Sequence, residues 1–300
     1  MLLLLASNNV FSMQISSQDF LEVADGIYVH YGQHLDVDEG YQGDICNIGF
    51  ILGKSAIAVI DTGGSPEVAQ KLKNFIQQNF SQPIKYVINT HPHLDHIYGN
   101  KAFLDLNPTF IGHEQLKKAM RFRKDLYTKL NQQYLHLMYD QIPQVEPTET
   151  VAIAKTLTID LGERVLKLEA FEKSHTEADV TVHDENTNTF WSGDLIFNER
   201  TPVIDGDIHG YLRVLKNLQE KQLDMVVPGH GKSGPANILI KQMQHYLEVL
   251  RDDVRKSIDA GISLEKTMTS AAQSEEKNWQ LFKIQNKRNI NRIYPEMEWE

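Results

Sequence analysis

The chain has one cysteine, Cys46, in 300 residues, so no intramolecular disulfide framework can form and either redox compartment is compatible with it. No apolar run approaches the ~18 residues of a membrane span, so no integral membrane segment is expected. No long basic run is present either, and the formal net charge is −10. Such a chain lacks the electrostatic footprint for a phosphate backbone, which sets nucleic acid aside as a partner. What remains is ordinary for a globular protein: 41% hydrophobic residues can bury a substantial core, and 23% are charged. The chain opens Met1-Leu2-Leu3-Leu4-Leu5-Ala6. That run is shorter than the roughly 7–15 residues of a signal-peptide core, and no basic residue precedes it. Residues 1–19 read as an N-terminal extension: a clipped signal peptide, a cloning remnant or a loose apolar end. Export to the periplasm is the favoured location, with the cytoplasm as the alternative.

The densest chemistry lies in Asn89-Thr90-His91-Pro92-His93-Leu94-Asp95-His96, directly after the apolar run Ile84–Ile88, which reads as a buried strand. His91 and His93 are two apart, so in extended backbone both rings project to one face and can reach one metal ion. Pro92 should end the strand and place the histidines in its exit loop. Asp95 and His96 then point elsewhere, which suits a second ion. Further candidates follow other strands: His175 after Val165–Phe171, Asp194 in Ser192-Gly193-Asp194 after Thr189–Trp191, and His230 in Pro228-Gly229-His230 after Met225–Val227. Strand exits gather ligand sites in layered α/β folds.

Taken together and in this order, these motifs resemble the metallo-β-lactamase-fold superfamily of metallohydrolases, from about Val23 to the end. The resemblance implies an α/β chain folded as a four-layer αβ/βα sandwich with a dinuclear site. His91, His93 and His175 would hold the first ion and Asp95, His96 and His230 the second. Asp194 would bridge the two, with a solvent-derived hydroxide between them as nucleophile. Asp95 and Asp194 are thereby the catalytic acids. Two Zn2+ are expected; the nitrogen-and-oxygen donor set also suits iron or manganese. Asp61, at the end of the strand Ser55–Ile60, resembles an acid that supports a ligand without touching the metal, although a turn-forming aspartate accounts for it almost as well. The polar loop from Gln33 to Gly43 commonly overhangs the metals in this fold. His34 and Tyr41 are therefore candidate substrate contacts, against the plainer reading of surface residues.

Residues 20–300 read as one domain. Hairpins are expected at Asp25-Gly26, Gly53-Lys54 and Gly162-Glu163, and a helix from Pro66, capped by Ser65. A helix inserted over 114–140, with Met120, Tyr127, Tyr134, Leu135 and Met138 as its apolar stripe and a basic patch that includes Arg123, could cover the site or mediate dimerisation; the oligomeric state is left open. His113 is weighed as an eighth ligand and read as a helix-start residue. Helices over 236–283 close the domain, led by one with Leu239, Met243, Tyr246, Leu247, Leu250 and Val254 as its buried stripe. The tail, with the second motif, resembles the SoxH-like zinc metallohydrolase branch associated with quinoprotein relay systems.

Dedicated metallo-β-lactamases carry Cys or Ser where Asp194 stands. Glyoxalase II and lactonases of the superfamily keep an Asp but show a Gly-His-Thr-Pro-Gly-like third motif, and here it is Ser174-His175-Thr176-Glu177-Ala178-Asp179. The expected function is a zinc-dependent hydrolase of an ester, thioester, lactone or amide-like bond in a small molecule. The alternatives are a non-catalytic metal-binding or sensing protein on the same scaffold, and an iron-dependent oxygen- or sulfur-handling enzyme.

Overall fold

The computed structural model describes residues 19–300, so the Leu2–Ala6 stretch and nearly all of the 1–19 extension lie outside the described residues. Two hairpins come first. β1 (Leu21–Ala24) and β2 (Ile27–His30) turn through Gly26 at φ +66°; β3 (Ile48–Leu52) and β4 (Ile57–Ile60) follow. The chain then winds in parallel through α1 (Pro66–Asn79), β5 (Ile84–Ile88), α2 (Leu94–Ile97), β6 (Thr109–His113), α3 (Leu116–Tyr134) and β7 (Glu149–Val151). Ser65 starts α1 by accepting a bond from the Val68 amide, with Pro66 where no donor is needed. These strands form one sheet in the order β1 to β7.

A second sheet is built from β8 (Thr156–Asp160), β9 (Val165–Ala170), β10 (Val180–Asp184), β11 (Thr189–Phe197), β12 (Met225–His230) and β13 (Gly234–Pro235). Helix α4 (Ile208–Glu220) connects β11 to β12, which pair in parallel; the other neighbours are antiparallel. α5 (Ala236–Asp259), α6 (Leu264–Ser270) and α7 (Phe282–Glu298) finish the chain. Helical structure thus runs beyond the expected 236–283.

Period-2 alternation assigns the layers. On β4, Ala58 and Ile60 face the second sheet, packing with Ile88, Leu168, Val182 and Trp191, whereas Ile57 and Val59 face α1 and meet Leu72 and Ile76. A strand covered on both faces reads as a continuous apolar run, as β4 does, whereas β5 leaves Lys85 exposed. The outer face of the second sheet packs Phe190, Ile196 and Val226 against Tyr211, Leu215, Met243, Leu247 and Ile290 of α4, α5 and α7. The order is helix, sheet, sheet, helix: the expected αβ/βα sandwich.

Three expectations need correction. Asp194 and His230 do not follow their strands but lie inside β11 and β12. The parallel ladder shifts register around Gly193, which pairs with Pro228, and so continues past residues that normally end a strand. Next, α3 stops at Tyr134. Its buried face includes Arg123 and Asn131, while Met138, placed in the apolar stripe, is 52% exposed. Finally, Tyr41 is no surface residue but 3% exposed.

Candidate metal centre

The predicted ligands converge between the exposed ends of the two sheets. Atoms of His91, His93, His175 and Asp194 lie within 4.8 Å of one another, as do those of His96, Asp194 and His230. A third such group, Cys46 with Asp95 and His96, adds a residue that the sequence reading left without a role. Asp194 faces both sides: its Oδ2 is 3.6 Å from His91 Nε2, 3.4 Å from His175 Nε2 and 3.4 Å from His230 Nε2, and its Oδ1 is 3.2 Å from His96 Nε2. Asp95 Oδ2 lies 3.4 Å from His230 Nε2 and 3.6 Å from His96 Nε2. The glycines beside these acids are required by close approach. A Cβ on Gly229 would lie 1.9 Å from Asp194 Oδ1, and one on Gly193 would meet Thr90 at 2.6 Å.

Each histidine is anchored through one nitrogen and leaves the other for the centre. The Thr90 hydroxyl donates to Asp61 Oδ2 at 2.7 Å, so towards His91 Nδ1, at 3.0 Å, it must accept; His91 Nε2 then carries the lone pair. His96 Nδ1 donates to Asp61 Oδ2 (2.8 Å), His175 Nδ1 to the Val203 carbonyl (2.8 Å) and His230 Nδ1 to the Ile45 carbonyl (2.7 Å). His93 is turned the other way: its Nε2 donates to Asp205 Oδ2 at 3.1 Å, leaving Nδ1 free. His93 Nδ1 and His175 Nε2 consequently place two lone pairs 3.1 Å apart. Inside the cluster, His91 Nε2, His96 Nε2 and Asp194 Oδ1 are buried without a hydrogen-bond partner. Buried polar atoms are rarely left so. Converging lone pairs, two carboxylates and unsatisfied buried nitrogens are the donor set that metal cations satisfy, so these residues fit a metal site.

Electrostatics point the same way. Burial, then the charge of His96, hold His91 well below the usual imidazole range, and burial also lowers His175, so both rings are neutral and ready to ligate. Burial alone would depress His96 too, but the Cys46 sulfur, then Asp194, Asp95 and Asp61, outweigh it and raise its pKa well above the ordinary value. Anions that favour a proton at Nε2 also favour a metal cation there. Burial would raise Asp194, yet His230 and His96 hold it well below the usual carboxylate range. Burial pushes the Cys46 thiol up to about 12, so it stays a neutral donor to the Asp95 carbonyl at 2.8 Å.

The supporting residues sit as follows. Asp61, fully buried at the end of β4 with φ +51°, accepts from the Thr90 amide as well as from Thr90 Oγ1 and His96. Asp179 binds the Thr176 amide and hydroxyl and the Ser174 hydroxyl, closing the loop that carries His175. His113 uses both nitrogens elsewhere, at Phe171 O (3.0 Å) and the Gln115 amide (2.9 Å), and is no ligand. His34 places Nε2 3.2 Å from Glu199, with its Nδ1 buried and unpartnered. The buried hydroxyl of Tyr41 also has no partner; burial, then the charge of Asp95, raise its pKa. Tyr41 is part of the wall of a cleft of about 570 Å³ that Tyr134, Leu135 and Leu137, at and beyond the end of α3, help to line. Arg200, 4% exposed, lays Nη1 3.2 Å from His230 Nδ1 and leaves its Nε without a partner. Asp205 and Arg200 carry no motif that the sequence could have shown.

A layered sandwich whose sheets meet at a histidine and aspartate cluster is a scaffold that could bind metal. The model of the Metallo-beta-lactamase superfamily matches residues 41–230, and the chain belongs to that superfamily. Among solved structures it is similar to a metallo-beta-lactamase from Pontibacter korlensis (20% identity, TM-score 0.58, covering 76% of this chain and 98% of that one). It is also similar to the DIM-1 metallo-beta-lactamase exposed to ceftazidime (18%, 0.60, 76% and 95%) and to TMB-1 (17%, 0.60, 76% and 96%). At these identities the likeness is one of fold.

Proposed function

We propose that the protein is a zinc-dependent hydrolase of small molecules. The observation that carries this reading is the convergence of His91, His93, His175, Asp95, His96, His230 and Asp194 with one nitrogen of each imidazole anchored and the other turned inward. His91, His93 and His175 would hold one ion, Asp95, His96 and His230 a second, and Asp194 both. Bound there, zinc lowers the pKa of a coordinated water from 15.7 towards ~7 and polarises a carbonyl. The chain's own part is to hold the rings by Asp61, Asp205 and backbone carbonyls and to exclude bulk water by burial. The cleft beside Tyr41 has the size of a small-ligand pocket, and we assign the apolar part of the substrate to it.

An acid at position 194, in place of the thiol or hydroxyl of dedicated lactamases, favours esters, thioesters and lactones over β-lactams. Metal analysis after reconstitution with excess zinc should give close to two ions per chain. Ester, thioester and lactone probes should turn over, and carbapenems should not. A chain that takes up at most one ion, or carbapenem cleavage with kcat/KM near ~10⁵ M⁻¹s⁻¹, would overturn the reading.

A further inference from the structure

Arg123 stands where a helix packed on a core should carry an apolar side chain. It lies on the buried face of α3 between Met120 and Tyr127 and is 8% exposed. Its Nη1 and Nη2 grip the two carboxylate oxygens of Glu177 at 2.5 and 2.8 Å, and Nη2 also reaches Asp205 Oδ2 at 2.6 Å. That same Oδ2 accepts from His93 Nε2 at 3.1 Å. Glu177 lies two residues beyond His175. The amides of Asp205 and Gly206 donate to the His175 carbonyl at 3.1 and 2.6 Å, and Val203 O holds the His175 ring. From the other side, Arg292 of α7 holds the carbonyls of Asp205 and Gly206 at 3.1 and 2.8 Å. One guanidinium therefore grips both the acid behind His93 and the loop of His175, and it is delivered by a helix that supplies no ligand of its own.

We propose that Arg123 is a positioning residue for the metal centre: through Asp205 it fixes the ring of His93, so that helix α3 sets how tightly the first ion is held. The inference rests on the dinuclear reading above. The side chain of Asp205 is 38% exposed, so an acid held only by His93 could swing towards water. Two donors on one oxygen pin it. A guanidinium fork can bind two carboxylates at fixed angles, which the point charge of lysine cannot do. Without Arg123, Glu177 and Asp205 would face each other as like charges, and the bond that fixes the His93 tautomer would loosen. Partners of this kind typically contribute roughly 10–100-fold to metal affinity.

The test measures binding and needs no substrate. Stepwise zinc affinities are read by competition with a chromophoric chelator, and cobalt spectra report ligand geometry; the step lost in His93→Ala identifies the first subsite. Arg123→Met should weaken that step roughly 10–100-fold, shift its cobalt bands and leave the second step unchanged. Arg123→Lys should recover only part of the loss. Asp205→Asn should reproduce it, and the double variant Arg123→Met/Asp205→Asn should be no worse than the worse single one, because both changes cut the same connection. Arg121→Ala, an exposed residue of the same helix, should change nothing. Wild-type affinity and spectra in Arg123→Met, or losses that simply add in the double variant, would overturn the proposal. Should Arg123→Met fail to fold, Arg123→Lys and Asp205→Asn decide the question by the same measurement. Wild-type protein that binds no ion would sink the metal reading instead.

Discussion

His93, at the start of the short helix α2, and His96, inside it, are three residues apart, yet the molecule holds them by opposite means. Behind His96 stands Asp61, completely buried, rooted at the end of a core strand and satisfied by three donors. Behind His93 stands Asp205, partly exposed, on a loop more than a hundred residues away and steadied by an arginine from α3. One support is part of the core and cannot move without breaking it. The other joins a partly exposed acid to a buried arginine of a helix that lies outside both sheets. The contrast separates what assembles the candidate metal site from what tunes it.

Asp194 belongs to both sides, and its loss should have the largest effect. Asp194→Asn keeps the shape but removes one charge and one ligand oxygen. Zinc should be lost from the second subsite and weakened in the first, with kcat on the best substrate falling by more than the roughly 10–100-fold typical of a supporting residue. The β-sheet circular dichroism should stay, since β11 is held by its ladders to β10 and β12 and not by the ligands alone. Near-native zinc content and turnover in this variant would show that the two sides do not meet at Asp194.

Asp61→Ala comes next and acts on the fold. It leaves the Thr90 amide, the Thr90 hydroxyl and His96 Nδ1 buried without their acceptor, at about 1–3 kcal/mol each before relaxation. The strained φ of +51° at position 61 would lose the bonds that hold it. Urea unfolding of the metal-free variant should show a loss of several kcal/mol; a loss below about 1 kcal/mol would mean that Asp61 is no part of the frozen side.

Asp205→Ala should do the reverse. Stability of the metal-free protein should fall by less than in Asp61→Ala, because Glu177 still holds both Nη atoms of the buried Arg123, while zinc affinity of the first subsite falls. Equal effects of the two alanine variants on urea unfolding would erase the comparison.

The sequence carried the frozen side better than the adjustable one, for a physical reason. The ligand run 89–96, the hairpins, the start of α1 and the buried stripe of α5 are written in local patterns: strand alternation, a capped helix start, ligands at fixed spacing. Asp61 came only through the family resemblance, beside a turn-forming reading. Asp194 and His230 were legible as chemistry but not as strand residues, because glycine and proline signal a break and only the parallel pairing of β11 with β12 carries the ladder through. Arg123 read as one charge in a basic patch, and Asp205 stands in no motif. Their roles depend on contacts across 54 to 112 residues of chain, which no local pattern encodes. Cys46 beside Asp95 and His96 was hidden in the same way.

The smallest effect we expect separates the two sides by pH, in the stability of the metal-free protein. Burial lowers His91 and His175, of the first ligand set, below the unfolded value near 6.5. As pH falls below that value the unfolded chain takes up protons that these buried rings refuse, so their contribution to stability is lost downward from about pH 6.5. His96, of the second set, is raised by the Cys46 sulfur, then by Asp194, Asp95 and Asp61, against the pull of burial. Its contribution is complete below about pH 6.5 and is lost as pH rises through its folded value. Midpoints of urea unfolding should therefore peak near neutrality and decline on both sides. Zinc should change the two limbs differently. On the alkaline limb it takes the place of the His96 proton, so the decline should flatten. On the acid limb protons compete with zinc for every ligand, so the decline should steepen. His96→Gln should remove the alkaline decline of the metal-free protein and leave the acid one. An alkaline decline that survives His96→Gln would mean that the anions around the second set do not hold a proton on that ring.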